Sequence, residues 1–95
     1  MQISQHDGGK HGQFLLRDGE HTAGTMSYTW AGTSMLIIDS TSVEDAYRGQ
    51  HVGRNLLGAL VAFVREKNVK VIPLCPFAKA AFDQDASIRD VLKEP

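Results

Sequence analysis

The hydrophobic period of this chain first changes at Arg48-Gly49-Gln50-His51-Val52-Gly53. Before that turn, apolar residues alternate or run in short stretches, which is the mark of strands; after it, Val52, Leu56, Leu60, Phe63, Val64 and Lys67 recur at helical spacing. Leu57 and Val61 widen the apolar stripe, so this helix is expected to be covered on more than one side. Lys70-Val71-Ile72-Pro73-Leu74 then reads as a short buried strand. Strand, helix and strand in that order imply a right-handed parallel crossover, because a right-twisted strand feeding a right-handed helix packs back onto its sheet only in that sense.

The segments on either side complete the frame. Gln13 to Arg17 is a short apolar strand closed by Asp18-Gly19, a dipeptide suited to a hairpin turn. The next strand runs from about Thr22 to Trp30, with Met26, Tyr28 and Trp30 on its inward face. Ser34 to Val43 begins as a continuous apolar strand and turns polar toward its end, which should face a cleft. Ile3 begins a further strand, with Asp7-Gly8-Gly9-Lys10 as its turn.

Gly58, inside the helix, costs about 1 kcal/mol relative to alanine and is expected to admit another element closely; Asn68 closes the helix. Pro73 has no amide hydrogen to donate, so its strand should be unpaired on one side near its end, opening a split beside its neighbour. Pro76 suits the first position of a second helix, with Cys75 as N-cap and Phe77, Ala80 and Ala81 facing inward. Asp85 is placed to cap a last short helix carrying Ile88, Val91 and Leu92. The expectation is an α+β fold in one domain over residues 1–95. A mostly antiparallel sheet leads into the crossover with splayed parallel strands, and short helices follow.

Composition narrows the function. Ten basic and eleven acidic residues give a net charge of -1, which provides no general pull toward nucleic acid or anionic lipid, so any phosphate site must be local. The apolar run Ala59 to Val64 is far shorter than the roughly twenty residues that span a bilayer, and no membrane insertion is expected. Cys75 is the only cysteine, so no internal disulfide can form. Met1 to His6 lacks a basic segment leading into an apolar one, and the expected location is a reducing cytoplasm.

The turn from Arg48 to Gly53 carries the clearest chemistry. A helix N-terminus offers unpaired amides and a partial positive charge, and glycine lets a pyrophosphate approach the backbone. On the residues alone, Gly49 and Gly53 equally suit a tight strand-to-helix turn and nothing more. The competing phosphate patterns GxxxxGK(S/T) and GxGxxG are absent. Cys75 also has two readings. A thiol at a helix N-cap feels the positive end of the dipole, which favours a nucleophilic thiolate, whereas a cysteine between Leu74 and Phe77 suits a buried, inert position. Arg54 and Lys79 are either phosphate partners or surface cations. His6, His11 and His21 lack metal-ligand spacing and read as exposed, while Tyr28 and Trp30 read as packing residues.

Val43-Glu44-Asp45-Ala46-Tyr47-Arg48-Gly49-Gln50-His51-Val52-Gly53 resembles the coenzyme A pyrophosphate loop of the GCN5-related N-acetyltransferases, (R/Q)xxGx(G/A). Arg48 and Gly53 match, Gly49 follows the frequent Arg-Gly opening, and His51 stands where the pattern has its first glycine. A side chain there leans outward or narrows the loop. Val71-Ile72-Pro73-Leu74-Cys75-Pro76-Phe77-Ala78-Lys79, followed by Phe82-Asp83, resembles the signature of the small subfamily of minimal acetyltransferase-like proteins, with its Cys-Pro-Phe motif after the last strand. The resemblance runs from Leu36 to Leu92, with the two motifs at the subfamily's separation. The first thirty residues are similar only in being strand-rich.

The resemblance implies a reduced acetyltransferase fold, acetyl-coenzyme A as cofactor, and pantetheine entering the split. It implies a binding set of Ser42, Val43, Arg48, Gly49, Gln50, His51, Val52, Gly53, Arg54, Cys75, Phe77 and Lys79. Amides at Gln50 to Arg54 would hold the pyrophosphate and Cys75 would lie near the thiol, as the candidate catalytic residue. Members often carry histidine-threonine at the end of the strand before the loop, where this chain has Ser40-Thr41, so the family's histidine base has no counterpart there. Asp39 and Glu44 are its substitutes in principle, or simply solvated carboxylates. The implied activity is acetyl transfer to an amine, either a small molecule or a protein lysine, with a homodimer conceivable on the acceptor side. The alternatives are a non-catalytic binding module for coenzyme A or acyl-coenzyme A, and a structural or partner-binding domain with a vestigial loop, which His51 favours.

Overall fold

The computed structural model describes residues 1–93. Four antiparallel strands come first: β1 (Gln2–Asp7), β2 (His11–Asp18), β3 (His21–Ala31) and β4 (Met35–Val43). A 3-10 segment, Asp45–Tyr47, leads to helix α1 (Val52–Lys67), which returns the chain to β5 (Lys70–Pro73), parallel to β4. Helix α2 (Pro76–Gln84) and a second 3-10 segment, Ala86–Val91, follow. Spatial order equals chain order, β1-β2-β3-β4-β5, and among these five strands the parallel pair is β4 and β5, joined through α1. Among the described residues, no helix is long and apolar enough to cross a membrane.

The core is the meeting of one sheet face with α1. Met26 and Tyr28 of β3 and Leu36 and Ile38 of β4 are buried against Val52, Leu56, Leu60 and Val64, the residues whose spacing predicts the helix. Leu57 and Val61 are buried as well, on the flank of α1 that faces α2 and the last 3-10 segment. Asn68 ends α1 in the left-handed conformation at φ 56°, its amide bonding back to Val64 and Arg65. Lys93 donates its amide to the Val71 carbonyl and Leu92 bridges to Val71, which covers the outer edge of β5.

Asp7 organises the other end of the sheet. A Cβ on Gly12 would fall 2.4 Å from Tyr28 Cζ, so glycine at this position lets the tyrosine ring cross β2. Tyr28 then donates to Asp7 Oδ2 at 2.7 Å and accepts from Gln5 Nε2 at 2.8 Å. Trp30 Nε1 donates to the same Oδ2 at 2.9 Å, and the Gly9 amide donates to Oδ1 at 2.8 Å. Trp30 first, then Tyr28 and Gly9, hold the carboxyl below its ordinary value. Burial, with the Asp7 charge adding to it, pushes the Tyr28 phenol up to about 12. Phe14 and Phe63 close the aromatic cluster around Tyr28 and Trp30, with centroids 5.7 to 6.4 Å apart.

Three sequence expectations are corrected. The buried face of α2 is Ala78 and Phe82, with Ala81 half-buried against the core as expected, but Phe77 and Ala80 stay exposed: Pro76 at the first position and the Cys75 cap fix the helix phase. No element approaches Gly58, where a Cβ would meet nothing within 4 Å. The expected last short helix is a 3-10 segment, capped as anticipated by Asp85 through the Ser87 amide at 2.9 Å. The connection after β4 is also helical, at Asp45–Tyr47.

Because folding depresses the Asp7 pKa, its stabilising contribution is present above the ordinary carboxylate value and is lost as pH falls below about 4. Asp7→Asn is expected to cost about 1 kcal/mol at neutral pH and to flatten the acid limb of stability against pH, both measured by urea unfolding. An unchanged acid limb would remove Asp7 from this role.

Candidate functional site

Strands β4 and β5 pair from Met35↔Lys70 to Ile38↔Pro73 and then part. At the parting, the Ile38 carbonyl accepts from both the Leu74 amide, at 3.0 Å, and the Cys75 amide, at 3.3 Å. Beyond that carbonyl β4 runs on to Val43, while the other chain turns into α2. Pro73 therefore ends the strand where the sequence suggests, and a split opens between the two chains.

A bulge sets which side chains face it. Ser27 pairs with Ser40 but Tyr28 with Ile38, so Asp39 is an extra residue on β4. Thr41 therefore shares the inner face with Ile38, and Val43, opposite Gly24, follows it. Thr41 Oγ1 lies 3.3 Å from Cys75 Sγ, directly across the split. The thiol also accepts from the Ala78 amide at 3.3 Å, which makes Cys75 the true N-cap of α2, and it is buried. Cys75 is thus both buried and the N-cap of α2, the two placements from which its sequence readings start. Ser42 projects from the opposite face, with Thr25, and Asp39 there accepts from the Thr29 hydroxyl at 2.6 Å.

The loop that follows is anchored before it reaches α1. The Glu44 amide bonds the Ala23 carbonyl at 2.9 Å, and Tyr47 donates its hydroxyl to Asp18 Oδ2 at 2.9 Å, which raises the phenol above its ordinary value. Arg48 pairs with Asp45 at 2.9 Å on the surface. Gly49 at φ 83° and His51 at φ 61° then turn the chain into the helix. The left-handed conformation at His51 accounts for glycine in the resembling pattern: any other residue there is strained by roughly 1–2 kcal/mol.

The first turn of α1 has neither a side-chain cap nor an acidic residue, so the amides that open the helix and its positive end are unneutralised. The first helical bond is Asn55 to the His51 carbonyl. The Gln50 amide is already bonded to the Tyr47 carbonyl at 3.3 Å, so the available cradle starts at His51 rather than Gln50. Gly53 has a steric reason of its own. A Cβ there would meet the Phe77 ring at 2.8 Å, so glycine at this position admits the ring of α2 over the first turn of α1.

From this turn a groove of about 780 Å³ runs between α1 and α2, within the usual size of a ligand pocket. Val43, Arg48, Gly49, His51, Val52, Gly53, Arg54 and Phe77 of the anticipated set line it. Ser42, Gln50, Cys75 and Lys79 do not: Lys79 is exposed on α2, and Cys75 lies at the base of the split. Sequence reasoning missed Thr41, whose inward direction depends on the bulge. It also missed Tyr47, for which an aromatic residue just before Arg-Gly was the available signal, and the groove walls Leu57, Val61, Ala81 and Gln84. His6, His11 and His21 are exposed as anticipated.

The sequence model of the GCN5-related N-acetyl-transferases matches residues 13–91. Protein NATD1 of Danio rerio is 32% identical over 67 residues, 70% of this chain and 61% of that protein. The chain thus spans about three fifths of the length of the curated relatives it matches. The solution structure of a GCN5-like protein from Staphylococcus aureus superposes with a TM-score of 0.77 at 32% identity, covering 99% of this chain and 89% of the other. A GNAT family acetyltransferase from Elizabethkingia anophelis, solved with acetyl-CoA bound, shares the fold at a TM-score of 0.69 and 13% identity, over 87% of this chain and 72% of the other.

His51→Gly removes the left-handed strain but loosens the unfolded chain by about 0.4–1 kcal/mol, so a net gain of roughly 0.5–1 kcal/mol is expected. It should appear as a higher urea midpoint with an unchanged slope. A lower midpoint would mean that the imidazole makes a contact worth more than the strain.

Proposed function

Since the chain belongs to the GCN5-related N-acetyltransferase family, we propose that it transfers an acetyl group from acetyl-coenzyme A to an amine, as one domain. The observation that carries this reading is the unneutralised start of α1, standing between the groove on one side and the Thr41–Cys75 split on the other. The residues fit the coenzyme: the amides from His51 to Arg54 suit a pyrophosphate, and Gly49 leaves open space above them. Arg54 adds local positive charge at the start of the groove, while Arg48 beside it is paired with Asp45.

The bound thioester would supply an activated acyl carbon. The chain's own task is to hold it beside β4, where Val43 and the inner face can orient the pantetheine arm. The amine must attack as the neutral base, so its proton must pass to a carboxylate or to water. Of the two exposed carboxylates that the sequence offers, Asp39 lies on the opposite face of β4 against Thr29, which leaves Glu44, just past the strand, or water. The developing negative charge on the carbonyl oxygen requires a donor, and the Thr41 hydroxyl faces the split.

A second reading of the same step draws on the position of Cys75 at the base of the split. Its Sγ would form a bond to the acyl carbon as the bond to the coenzyme sulfur breaks, with the thiol proton going to the departing sulfur. The amine would then attack the Cys75 thioester and release the thiol. A binding module without transfer is the remaining alternative, because His51 departs from the family's loop pattern.

Titration calorimetry with coenzyme A is expected to give saturable binding, and its absence would sink transferase and module together. Single-turnover mass spectrometry with acetyl-coenzyme A and a panel of amines should then find acetylated amine. For direct transfer, Cys75→Ala is expected to keep activity within about tenfold of the parent chain; a loss of a hundredfold or more, with acetyl trapped on Cys75, would establish the relay instead.

A further inference from the structure

The two edges of the sheet differ. Outside β5, Leu92 bridges to Val71, the Lys93 amide bonds the Val71 carbonyl, and Pro73 has no amide hydrogen to offer. β1 ends the strand order on the other side, and among the described residues no strand pairs with its outer edge. Proline, lysine, arginine and bulges are the usual devices that keep such an edge from pairing. Gln2-Ile3-Ser4-Gln5-His6-Asp7 has none of them, and its register with β2 is unbroken from Gln2↔Arg17 to Asp7↔Gly12. The carboxylate of Asp7 is occupied by Tyr28 and Trp30. Met1 and Ile3, at this edge, are large apolar side chains left exposed.

The β1–β2 hairpin fixes which backbone groups face outward. The Gly8 amide bonds the His11 carbonyl at 2.8 Å, which makes Gly8 and His11 a hydrogen-bonded pair. Such pairs alternate along an antiparallel ladder. In this register the backbone groups of Gln2, Ser4 and His6 therefore point to β2, and those of Ile3, Gln5 and Asp7 point to the open edge. Side chains alternate between the faces: Ile3 shares the helix-covered face with Leu16, and Ser4 shares the opposite face with Leu15. There Ser4 Oγ is buried without a hydrogen-bond partner, a cost of about 1–3 kcal/mol to a single chain.

We infer that the open edge of β1 pairs with β1 of a second copy of this chain, antiparallel about a two-fold axis at Ser4. A two-fold that sets two edges antiparallel stands perpendicular to the sheet, so residues on one face of β1 oppose residues of that same face. Centred on Ser4, Ile3 and Gln5 exchange both backbone hydrogen bonds with Gln5 and Ile3 of the second copy. The two Ser4 residues form a non-hydrogen-bonded pair, the closer kind, with Cα atoms about 4.5 Å apart. A change of χ1 rotamer then lets one hydroxyl donate to the other, which satisfies the unpaired oxygen. Gln2 meets His6 of the second copy, an amide opposite an imidazole, and the Ile3 side chains become diagonal neighbours about 7–8 Å apart. Centring on Ile3 or Gln5 would part the two hydroxyls, and centring on Gln5 would also set Asp7 against Ile3. The result is two five-stranded sheets joined edge to edge, with the splits between β4 and β5 at the far ends.

One strand edge is a small interface, so the dimer should be weak. Sedimentation equilibrium of the parent chain is expected to show an average mass that rises from that of one chain toward that of two between about 10 μM and 1 mM. A parent chain still monomeric at about 1 mM would overturn the inference. Ile3→Pro removes an edge-facing amide without touching the β1–β2 ladder, and should hold the chain monomeric over the same range. A dimer of unchanged affinity in this variant would place the contact elsewhere and overturn it too. Ser4→Cys tests the register independently of how well Ile3→Pro folds. Under mild oxidation it should form a disulfide-linked dimer through residue 4 at least about tenfold faster than Gln2→Cys forms one through residue 2, which would oppose His6. Equal rates, or linkage through Cys75 alone, would overturn the pairing about Ser4.

Discussion

The site depends on the point at which β4 and β5 stop pairing. A carbonyl normally serves one partner along a ladder, but that of Ile38 receives two amides, from Leu74 and Cys75. This double acceptance turns the chain away from β4 within two residues. Pro73, just before it, has no amide hydrogen with which to extend the ladder on either side. Had pairing continued, Thr41 would lie beside a strand rather than across an opening. The turn also brings Pro76 to the start of a helix and Cys75 to its cap, so the break in the sheet and the placing of the thiol are one event.

That event was partly legible in the sequence. Pro73 and Pro76, three residues apart, signal a strand end and a helix start, and a period that shifts from two to 3.6 locates β3, β4 and α1. The facing of individual side chains was not legible, for two physical reasons. The extra residue Asp39 reverses the alternation along β4, so Thr41 and Val43 point inward where unbroken alternation from Ile38 would select Ser40 and Ser42. In α2, alanines at positions 78, 80 and 81 give almost no hydrophobic contrast, so the phase rests on Phe77 and Phe82, which project from different faces. Tertiary contact settles the matter there: Phe82 is buried and Phe77 lies over Gly53.

The loop before α1 shows a different balance. His51 occupies the left-handed region with no compensating cap, an expense of order 1 kcal/mol at a helix start. The fully or almost fully buried Val52, Leu56, Leu60 and Val64 outweigh it, since each buried aliphatic side chain contributes roughly 1.5–3 kcal/mol. The loop is also tied down from outside, by Tyr47 to Asp18 and by Glu44 to Ala23. Its conformation is therefore imposed by the core and by the neighbouring hairpin rather than by the preference of residue 51. This is why a chain with histidine at that position still presents the turn that glycine would form unaided.

These supports divide the region into two parts with separate origins. The groove is a product of helix packing: it exists because Gly53 lets Phe77 approach while Gly58, one and a half turns on, leaves the space between the helices open. The split is a product of the sheet, made by the Ile38 carbonyl and closed at its base by Thr41 and Cys75. The first turn of α1 and Val43 of β4 border both. Substitutions along the outer stripe of α1 touch neither hydrogen bond of the Cys75 thiol, and substitutions at Thr41 leave the helix–helix spacing intact. The walls of the groove and the surroundings of the Cys75 thiol can thus vary independently in this fold, with the backbone from His51 to Arg54 as their common point.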